Sequence, residues 1–390
     1  MDLKSENKVI TITNFYYPYV GGITSYVETL KKGLVNSNYK NEIICYPFFF
    51  RKIENSIRSR AVWIIFRYIF ILLFIISAEI IIIKNRFAHK KLIVHTHSAN
   101  FCLVVGVLSK FIGCRTLHTF HSPIDRNFKH LEKFLTRTDA VVFVSDEHKK
   151  LYEKYFYITN ENIEIIPGLV DQEKYRPRDT RERNKIKNDL IDKLGKDHIN
   201  DKIVLFIGRI VEEKGAEVLV RSVGEVKNSV NNIYVVLVGP HSRTWKEKDF
   251  FNKLNLYVDK NKLDNNILFL GEGTEELIKK LYTISSFVVV PSIWEASGIV
   301  PFEAMASGKP VIVTKVGGLK SKIVDGKTGL LAESGNPSDL ARKMIRLLKD
   351  EDLLNEMGIN ARKYVEKNHP ISKMIKPYLE IYTRIQNEVK

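Results

Sequence analysis

The sequence reads FVVVPSIWEASGIVPFEAMASGKPVIV from Phe287 to Val313, and this stretch is the basis of the predicted fold. It opens with four apolar residues, which is typical of a buried strand, and Pro291 ends that strand. A loop follows, and the residues from near Ile299 to Ser307 are predicted to form a helix. A second apolar run then predicts the next strand. The stretch therefore indicates one strand–helix–strand unit of a parallel sheet.

The same alternation of apolar strands and amphipathic helices runs along the whole chain. Strands are predicted in the first half at Val9–Ile12, Glu42–Cys45, Leu92–His95, Arg115–Thr119, Ala140–Val144 and Ile163–Ile166. Strands are predicted in the second half at Ile203–Ile207, Ile233–Val238, Ile267–Leu270, Phe287–Val290 and Val311–Val313. Helices are predicted at Ile23–Leu34, Asn127–Arg137, Ala216–Lys227 and Glu275–Thr283. We therefore expect an α/β fold with doubly wound parallel sheets.

A change of composition marks the predicted domain boundary, because residues 171–202 are highly charged and contain few large apolar residues. The predicted N-terminal Rossmann-like domain comprises residues 1–178, and a charged linker follows at 179–202. The predicted C-terminal Rossmann-like domain comprises residues 203–370. A final amphipathic helix, 371–390, is expected to pack back on the first domain. Two such domains in series would face a central cleft, where ligands bind at the carboxyl ends of the strands.

Positive charge is concentrated in one part of the chain, which has a formal net charge of +16 over 390 residues. Between Lys31 and Arg137 there are 18 Lys or Arg residues and five Asp or Glu residues. Such a region favours an anionic partner, either membrane headgroups, a lipid phosphate or nucleic acid; a basic solvated surface is the alternative. Because the sequence has no motif of interleaved aromatic and basic residues, nucleic acid is not an expected partner.

The cysteines and the N-terminal residues favour a cytoplasmic location. Cys45, Cys102 and Cys114 form neither a C-x-x-C pair nor a Cys/His metal pattern, which is typical of a reducing compartment. The apolar run Val9–Ile12 is too short for the core of a signal peptide, so secretion is not expected.

One segment, Ala61–Ile83, is apolar enough to suggest contact with a membrane. It reads AVWIIFRYIFILLFIISAEIIII and is interrupted only by Arg67 and Glu79. Its length would suffice to cross a bilayer, for which about 20 apolar residues are needed. Basic residues flank both ends and give no orientation, and the two internal charges are costly in lipid. Three interpretations remain open: a buried or interfacial helix, a helix that docks a partner, and a membrane span.

The stretch quoted above carries two carboxylates eight residues apart, Glu295 and Glu303. Glu295 lies on the predicted loop, and Glu303 lies one turn into the helix on the side that faces the loop. Carboxylates accept hydrogen bonds from sugar hydroxyls, so the pair suits a sugar ligand; the alternative is that the acids stabilise the helix dipole. The backbone amides at the start of the helix, near Ile299, suit an anion such as a diphosphate.

A second segment, FIGRIVEEKG from Phe206 to Gly215, places a turn between a strand and a helix. The strand is predicted to end at Gly208, and Arg209 and Lys214 flank the turn. The planar guanidinium and the lysine point charge can both be brought to one diphosphate. The alternative is a surface turn with two solvated cations.

Two adjacent glycines, Gly21 and Gly22, follow the first strand and precede a helix. Glycines allow a backbone to approach a phosphate or a sugar closely. Their spacing is not G-x-G-x-x-G, which disfavours a dinucleotide site. An ordinary loop is the alternative for this pair.

Four histidines lie near the ends of two strands. His95 and His97 end one strand, and His118 and His121 flank the end of the next. No Cys or carboxylate falls at ligand spacing, so a zinc site is not expected. By strand alternation, His95 and His118 are predicted to face away from His97 and His121 and to serve in packing.

Together these motifs resemble those of the retaining glycosyltransferases of family 4, whose signature includes a Glu-x7-Glu pair such as Glu295 and Glu303. The resemblance covers nearly the whole chain and implies the GT-B fold, with two Rossmann-like domains. It implies transfer of a hexosyl unit from a nucleotide-diphosphate sugar, in particular a UDP-sugar, to an acceptor hydroxyl with retention of configuration. It implies no cofactor and no metal, because protein cations take the place of the metal.

The resemblance also implies a role for each site residue. Arg209 and Lys214 would bind the diphosphate, Glu303 the ribose, and Glu295 the hydroxyls of the donor sugar. His121 would contact the donor sugar near its C6 hydroxyl or near the reacting centre. The remaining residues of the implied donor site are Gly21, Gly22, His97, Gly208, Gly271, Glu272, Ser297, Gly298 and Ile299.

The acceptor is expected to be a lipid-linked or cell-envelope glycan precursor, because the basic region adjoins an apolar segment. The chain would then be peripheral at the inner face of a membrane, with an anionic membrane surface as a partner. Two other functions remain open. One is a catalytically silent GT-B module that binds a membrane or a partner, and the other is a nucleotide-independent GT-B disaccharide phosphorylase.

Overall fold

The chain divides into two compact units, one formed by Met1–Leu169 with Ile371–Lys390 and the other by Val170–Pro370. The computed structural model describes residues 7–17, 21–47, 50, 53, 60–89, 91–97, 100–121, 137–154, 162–195, 198, 201–241 and 244–387. All but the last residue of the predicted helix Asn127–Arg137 lies outside these described residues.

The observed boundary differs from the predicted one. The second unit begins at Val170, so the predicted linker 179–202 belongs to this unit. The charged stretch forms a helix, Thr180–Leu194, that buries Leu190 and Leu194. These two apolar side chains are the physical reason that the stretch packs within the unit, since a solvated linker would bury neither of them.

Six strands form the sheet of the first unit: β1 (Lys8–Thr13), β2 (Lys40–Cys45), β3 (Leu92–His97), β4 (Arg115–Phe120), β5 (Ala140–Phe143) and β6 (Ile163–Ile165). Their order is β2-β1-β3-β4-β5-β6, and every neighbouring pair is parallel. The predicted strands are confirmed and differ only at their ends. The order reverses between β1 and β3, and ligands of such sheets bind at the carboxyl ends of the strands beside the reversal.

In the part of the first unit that the structure describes, these helices precede the second unit: α1 (Gly22–Asn36), α2 (Arg60–Ala88), α3 (Asn100–Phe111) and α4 (Asp146–Glu153). Helix α2 buries one stripe only. Phe70, Phe74, Ala78 and Ile82 are four residues apart, so they share a face, and they form one core cluster with apolar residues of β1 and β3. This stripe attaches α2 to the sheet.

Six strands also form the sheet of the second unit: β7 (Lys202–Ile207), β8 (Ile233–Val238), β9 (Ile267–Gly271), β10 (Phe287–Val290), β11 (Val311–Thr314) and β12 (Gly329–Ala332). Their order is β12-β11-β10-β7-β8-β9, and all neighbours are parallel. Strand β12 has no counterpart among the predicted strands, because its four residues, GLLA, include a glycine and no β-branched or aromatic residue that would favour a strand. The order reverses between β7 and β10. The predicted α/β fold with two doubly wound parallel sheets is confirmed.

The described residues of this unit form the helices α5 (Thr180–Leu194), α6 (Ala216–Val226), α7 (Trp245–Lys260), α8 (Glu275–Ile284), α9 (Val300–Ala306), α10 (Pro337–Lys349) and α11 (Glu351–Asn368). Several begin at a residue whose side chain accepts a hydrogen bond from a backbone N–H three residues further on. These capping residues are Asp179, Thr244, Thr274, Asn336 and Asp350. Each such cap satisfies a backbone donor that the helix itself leaves unpaired.

The last helix, α12 (Ile371–Asn387), belongs to the first unit. Its buried side chains include Tyr378 and Tyr382, neither of which is exposed. The hydroxyl of Tyr378 is hydrogen-bonded to the hydroxyl of Tyr26 on α1. The hydroxyl of Tyr382 lies 2.7 Å from Nδ1 of His95 on β3. These two buried hydrogen bonds connect α12 to α1 and to the sheet.

We predict that Phe74→Ala destabilises the first unit by about 3–5 kcal/mol, because the side chain is only 1% exposed and its removal leaves a cavity. Leu72→Ala, on the exposed face of the same helix, should change the free energy of unfolding by less than about 1 kcal/mol. Urea unfolding followed by circular dichroism measures both values. Equal losses in the two variants would contradict the orientation of α2.

Candidate active site

The first group of predicted site residues follows β7 and β10, the two strands between which the sheet order of the second unit reverses. Arg209 comes directly after Gly208 at the end of β7, and a short 3-10 turn, Glu212–Lys214, follows. The loop after β10 contacts this turn, because the backbone N–H of Ile293 donates to the carbonyl oxygen of Glu213 at 2.9 Å. The two sequence motifs are therefore adjacent in the folded unit.

Two glycines, Gly215 and Gly317, allow the loop after β10 to pass close to the turns in which they lie. Gly215 has φ +69, and a Cβ atom there would lie 1.9 Å from the carbonyl oxygen of Pro291. Gly317 has φ +44, and a Cβ atom there would lie 2.0 Å from the carbonyl oxygen of Glu295. Only glycine combines this backbone conformation with such close approach. The position of Glu295 thus depends on both turns.

Lys214 and Glu295 form an ion pair at this position. The lysine Nζ lies 2.5 Å from Oε2 of Glu295, and the two side chains are 27% and 13% exposed. A pair that is partly withdrawn from water interacts more strongly than an exposed one, because solvent screens it less. The cation and the carboxylate that were predicted to serve the diphosphate and the sugar are in direct contact.

Arg209 is also paired, but more loosely. Its guanidinium lies 3.4 Å from carboxylate oxygens of both Glu213 and Glu247, and its side chain is 44% exposed. Distances of this length in an exposed side chain correspond to weak attachment. The guanidinium can therefore change partners at low cost.

Glu303 is buried in α9 and has a defined partner. It is 5% exposed, and the hydroxyl of Tyr282 on α8 donates to its Oε2 at 2.9 Å. Burial raises the pKa of Tyr282 well above its usual value, and the charge of Glu303 raises it further, so the hydroxyl stays protonated as the donor. Tyr282 was not among the predicted site residues; the sequence places it on an amphipathic helix without indicating its hydrogen bond.

The residues before α9 lie where the sequence predicted them. Helix α9 begins at Val300, one residue after the predicted start, and contains seven residues. Ser297 and Ile299 are buried, and Gly298 has φ +65. The predicted helix is confirmed, but it is short, so its dipole is small compared with the charges of the lysine and arginine side chains.

Lys322 is a buried cation that the sequence did not reveal as part of this region. Its Nζ donates to Oγ of Ser297 at 3.1 Å and lies 4.2 Å from the centroid of the Phe302 ring. Lys322 is only 4% exposed. The nearest sequence signal is its position four residues after Gly318, but spacing alone does not indicate that this side chain points inward.

The other predicted residues of the second unit lie at the ends of β7 and β9. Gly271 is the last residue of β9, and its carbonyl oxygen accepts from the N–H of Gly239 at 2.8 Å. Glu272 follows it and is exposed. The N–H of Gly208 donates to the carbonyl oxygen of Val238 at 3.0 Å. The ends of β7, β8 and β9 are therefore joined by backbone hydrogen bonds.

In the first unit, the structure brings His97 and His121 together. Nδ1 of His97 lies 3.0 Å from Nε2 of His121, and their rings are stacked with centroids 5.3 Å apart. The ring of Tyr26 meets His121 edge-on, with centroids 4.5 Å apart. His97 is fully buried, and its Nε2 has no hydrogen-bond partner in the described part of the chain.

Both imidazoles are neutral at physiological pH. Burial lowers the pKa of His97 well below its usual value, with further lowering from His95 and His121. Burial lowers the pKa of His121 to about 3, with smaller contributions from His148 and His118. A neutral imidazole has one N–H donor and one acceptor nitrogen. The pair can therefore exchange hydrogen bonds with a polar ligand without adding charge.

The prediction that His95 faces away from His97 was wrong. The two rings lie on the same side of the sheet, with centroids 4.1 Å apart, because residues two apart on a strand share a face. His95 is nevertheless a packing residue with both ring nitrogens occupied, since Nε2 lies 2.7 Å from Oγ1 of Thr119. His118 packs beside Thr96, and its Nδ1 lies 2.6 Å from the hydroxyl oxygen of Thr96.

Gly21 and Gly22 lie at the start of α1, after β1, and both are exposed. The backbone at Gly21 is extended, so its conformation does not require glycine. No described atom lies within 4 Å of a Cβ atom built at Gly21. In the described part of the unit, nothing explains this glycine by internal packing.

Two family models match the sequence. Residues 20–174 match the model described as Glycosyltransferase Family 4, and residues 187–364 match the model described as Glycosyl transferases group 1. An uncharacterised glycosyltransferase of Methanocaldococcus jannaschii is 28% identical over 371 residues, which cover 92% of this chain and 93% of that protein. N-acetyl-alpha-D-glucosaminyl L-malate synthase of Bacillus anthracis is 28% identical over 310 residues, 76% of each chain.

The fold also matches solved structures. The Anabaena protein HepE, solved in complex with UDP and glucose, has a TM-score of 0.75 at 17% identity and covers 97% of this chain and 100% of that one. Two parallel six-stranded sheets together with both family models define a GT-B glycosyltransferase. Within that class, the chain belongs to the family 4 type.

We predict that Tyr282→Phe lowers the free energy of unfolding of the second unit by about 1.5–3 kcal/mol, because the buried carboxylate of Glu303 loses a hydrogen-bond donor. Tyr257→Phe, at a half-buried position on α7, is the matched control and should cost less than about 1 kcal/mol. Urea titration measures both. A Tyr282→Phe variant as stable as its control would show that this hydrogen bond contributes little.

The first unit should lose stability as the pH falls from 7.5 to 5.5. Burial lowers the pKa of His118 to about 3, whereas an unfolded histidine titrates near about 6.5, so in this range the unfolded state binds the extra proton. One such histidine contributes about 1.4 kcal/mol of lost stability over the interval. His118→Asn should therefore lose about 1.4 kcal/mol less than the native chain. Thermal unfolding at the two pH values measures this loss for both chains. An equal loss of stability in the native chain and in His118→Asn would contradict a neutral His118.

Proposed function

We propose that the chain is a retaining, metal-independent hexosyltransferase that uses a UDP-sugar and glycosylates a hydroxyl of a lipid-linked or cell-envelope glycan precursor. The observation that carries the proposal is the contact between Lys214 and Glu295 at the carboxyl ends of β7 and β10, with the buried carboxylate of Glu303 in the following helix. Cations for a diphosphate and acceptors for hydroxyls are thereby concentrated at one switch point of the sheet.

Arg209 and Lys214 bind the diphosphate in this proposal. Both are paired with carboxylates in the structure, and both pairs are accessible enough for an anion to compete. Fixed cations stabilise the charge that develops on the leaving diphosphate when the bond to the anomeric carbon breaks. They supply the charge that a divalent metal would otherwise supply, so the proposed reaction proceeds in the presence of a chelator.

The two glutamates have separate roles in the proposal. Glu303 accepts hydrogen bonds from the ribose hydroxyls, and the hydroxyl of Tyr282 holds its carboxylate in position. Glu295 accepts from hydroxyls of the donor sugar, next to the backbone N–H groups of Ser297, Gly298 and Ile299. A carboxylate is suited to both tasks because it accepts several hydrogen bonds from hydroxyl donors.

The neighbouring strand ends supply the rest of the proposed donor site. The nucleobase lies against the loop after β9, at Gly271 and Glu272, and Gly208 leaves room for the diphosphate beside Arg209. UDP is supported as the donor nucleotide by the structural neighbour HepE, which was solved with UDP and glucose. Retention of configuration is inferred from membership of the family.

The first unit contributes neutral polar groups in the proposal. His121 contacts the donor sugar near the reacting centre, and His97, hydrogen-bonded to it, orients its ring. The open space beside Gly21 allows the backbone at Gly21 and Gly22 to approach the donor closely. Neutral imidazoles suit this task, because a buried charge would disturb the developing positive charge on the sugar.

We place the acceptor on a membrane at the cytoplasmic side. Support comes from the basic region between Lys31 and Arg137 and from the apolar surface of α2. The relative from Bacillus anthracis, by its name, joins N-acetylglucosamine to malate. Transfer to lipid-linked acceptors should therefore be compared with transfer to a small hydroxy acid such as malate.

We predict that Lys214→Ala and Glu303→Gln each lower transfer by about 10²–10³-fold, because each removes a group that stabilises the transition state or holds the donor. The assay follows release of UDP from a panel of UDP-sugars in EDTA, with acceptor lipid extracts. Lys315→Ala and Glu333→Gln are the matched controls, because these two residues form an exposed ion pair of the same length, 2.5 Å. Both controls should retain full activity.

Several outcomes would contradict the proposal. Full transfer by Lys214→Ala or Glu303→Gln would remove the assigned roles. Absence of binding by any nucleotide sugar, measured by calorimetry, would favour a catalytically silent module. Turnover that requires free phosphate and no nucleotide would identify a disaccharide phosphorylase, and an inverted product would contradict retention.

A further inference from the structure

Helix α2 exposes an unusual amount of apolar surface. Of the 22 large apolar side chains exposed in the described part of the chain, twelve lie on α2. Most of them form one stripe at spacings of three and four residues, which places them on one helix face. The stripe consists of Ile65, Ile69, Leu72, Ile76, Ile80, Ile83 and Phe87. At 1.5 Å per residue the stripe is about 33 Å long. On an ordinary protein surface, exposed apolar residues are scattered singly and do not form a continuous patch of this size.

The opposite face of α2 is fixed in the core of the first unit. Phe74, Ala78 and Ile82 are at most 1% exposed, and they point about half a turn away from the stripe. By length and composition the helix could cross a membrane. A span, however, requires apolar surroundings on every side of the helix, and this face would have to leave the core of the sheet first. From Phe70 to Ile82, where α2 lies on the core, the packing therefore favours contact with a membrane through one face only.

The neighbouring helix α3 extends the apolar surface. Leu108 is 39% exposed and Phe111 is 76% exposed, at the end of α3. The two helices are packed together, and Oγ of Ser109 donates to Oε1 of Glu79 on α2 at 3.3 Å. Phe87, at the end of α2, is 89% exposed. Two helices thus present aromatic and aliphatic side chains to the outside of the unit.

The charges around this surface have one sign. From Arg60 to Gly113 the sequence contains seven Lys or Arg residues and one acidic residue, Glu79. Glu79 lies at the contact with α3, whereas Arg67, Lys84 and Lys91 are exposed. Anionic lipid headgroups complement such cations while the acyl chains meet the apolar stripe. A second copy of this chain fits less well, because a two-fold contact through the face would bring the same cations together.

We propose that α2 and the end of α3 form an in-plane membrane anchor, in which the exposed stripe of α2 lies flat in the headgroup region of an anionic bilayer and the opposite stripe stays in the protein core. The inference rests on the proposed function in one respect, because a lipid-borne acceptor gives the anchor its purpose. It decides among the three interpretations of this segment in favour of an interfacial helix.

Flotation with vesicles tests the anchor. The native chain should bind vesicles of phosphatidylcholine with 30% phosphatidylglycerol about tenfold or more tightly than vesicles of phosphatidylcholine alone. Ile76→Ser combined with Ile80→Ser should weaken binding about tenfold or more, because both side chains leave the lipid. Leu256→Ser combined with Ile359→Ser is the matched control, since both residues are exposed apolar residues of the second unit, and binding should not change.

A second variant tests the charges independently. Lys84→Glu combined with Lys91→Glu should weaken binding to the anionic vesicles by at least about fivefold for each position. For the native chain, 0.5 M NaCl should weaken binding to a similar extent, because salt screens the attraction between the cations and the headgroups. Circular dichroism checks that each variant is folded. Native binding that is absent, or binding that neither pair of substitutions weakens, would overturn the anchor.

The orientation of the helix distinguishes an in-plane anchor from a span. Nitroxide labels at Ile65→Cys, Ile76→Cys and Phe87→Cys, in a Cys45→Ser background, mark the two ends and the middle of the stripe. An in-plane helix gives all three labels the same shallow depth in power-saturation measurements, whereas a span places the label at position 76 near the middle of the bilayer and the other two near its surfaces. Unequal depths, or resistance to extraction at alkaline pH, would overturn the in-plane orientation.

Binding and catalysis are read separately in these experiments. Vesicle binding by a chain that turns over no nucleotide sugar would support the anchor and contradict the proposed function. Turnover of a nucleotide sugar without any vesicle binding would overturn the anchor and leave the proposed donor chemistry intact. A dimer in light scattering that Ile76→Ser and Ile80→Ser dissociate, without vesicle binding, would identify a second copy as the occupant of this surface.

Discussion

Close backbone approach at two glycines is the constraint on which the candidate site of the second unit depends. The loop after β10 lies between Gly215 and Gly317, and any side chain at either position would overlap a carbonyl oxygen of that loop. These two close approaches constrain the path of the loop, and that path brings Glu295 to Lys214. Strands β7 and β10 are neighbours in the sheet, at the point where the strand order reverses. Lys214 and Glu295, which are 81 residues apart in the sequence, therefore meet at one site.

The two units contribute opposite kinds of polar group. The second unit carries charged side chains, with Arg209 and Lys214 accessible to solvent and Lys322 buried beside Ser297. The first unit carries imidazoles that burial keeps neutral.

Much of the fold could be predicted from the sequence, because strand periodicity and glycine-bounded turns are local signals, and the two motifs at the ends of β7 and β10 are adjacent in the structure. What failed depended on side-chain direction. His95 was assigned to the wrong face although residues two apart on a strand share one. Tyr282 and Lys322 meet Glu303 and Ser297 only through tertiary packing. The apolar sequence of α2 likewise does not indicate which of its faces the core covers.

A crystal structure of the chain with UDP tests most directly whether the Lys214–Glu295 contact is the binding site for the donor diphosphate. We expect the diphosphate to replace the carboxylate as the partner of Lys214, with Arg209 moving from its two glutamates to a phosphate oxygen. Glu303 should accept hydrogen bonds from both ribose hydroxyls while keeping the hydrogen bond from Tyr282. UDP bound elsewhere, or a Lys214–Glu295 pair that stays intact beside bound UDP, would contradict this description of the site.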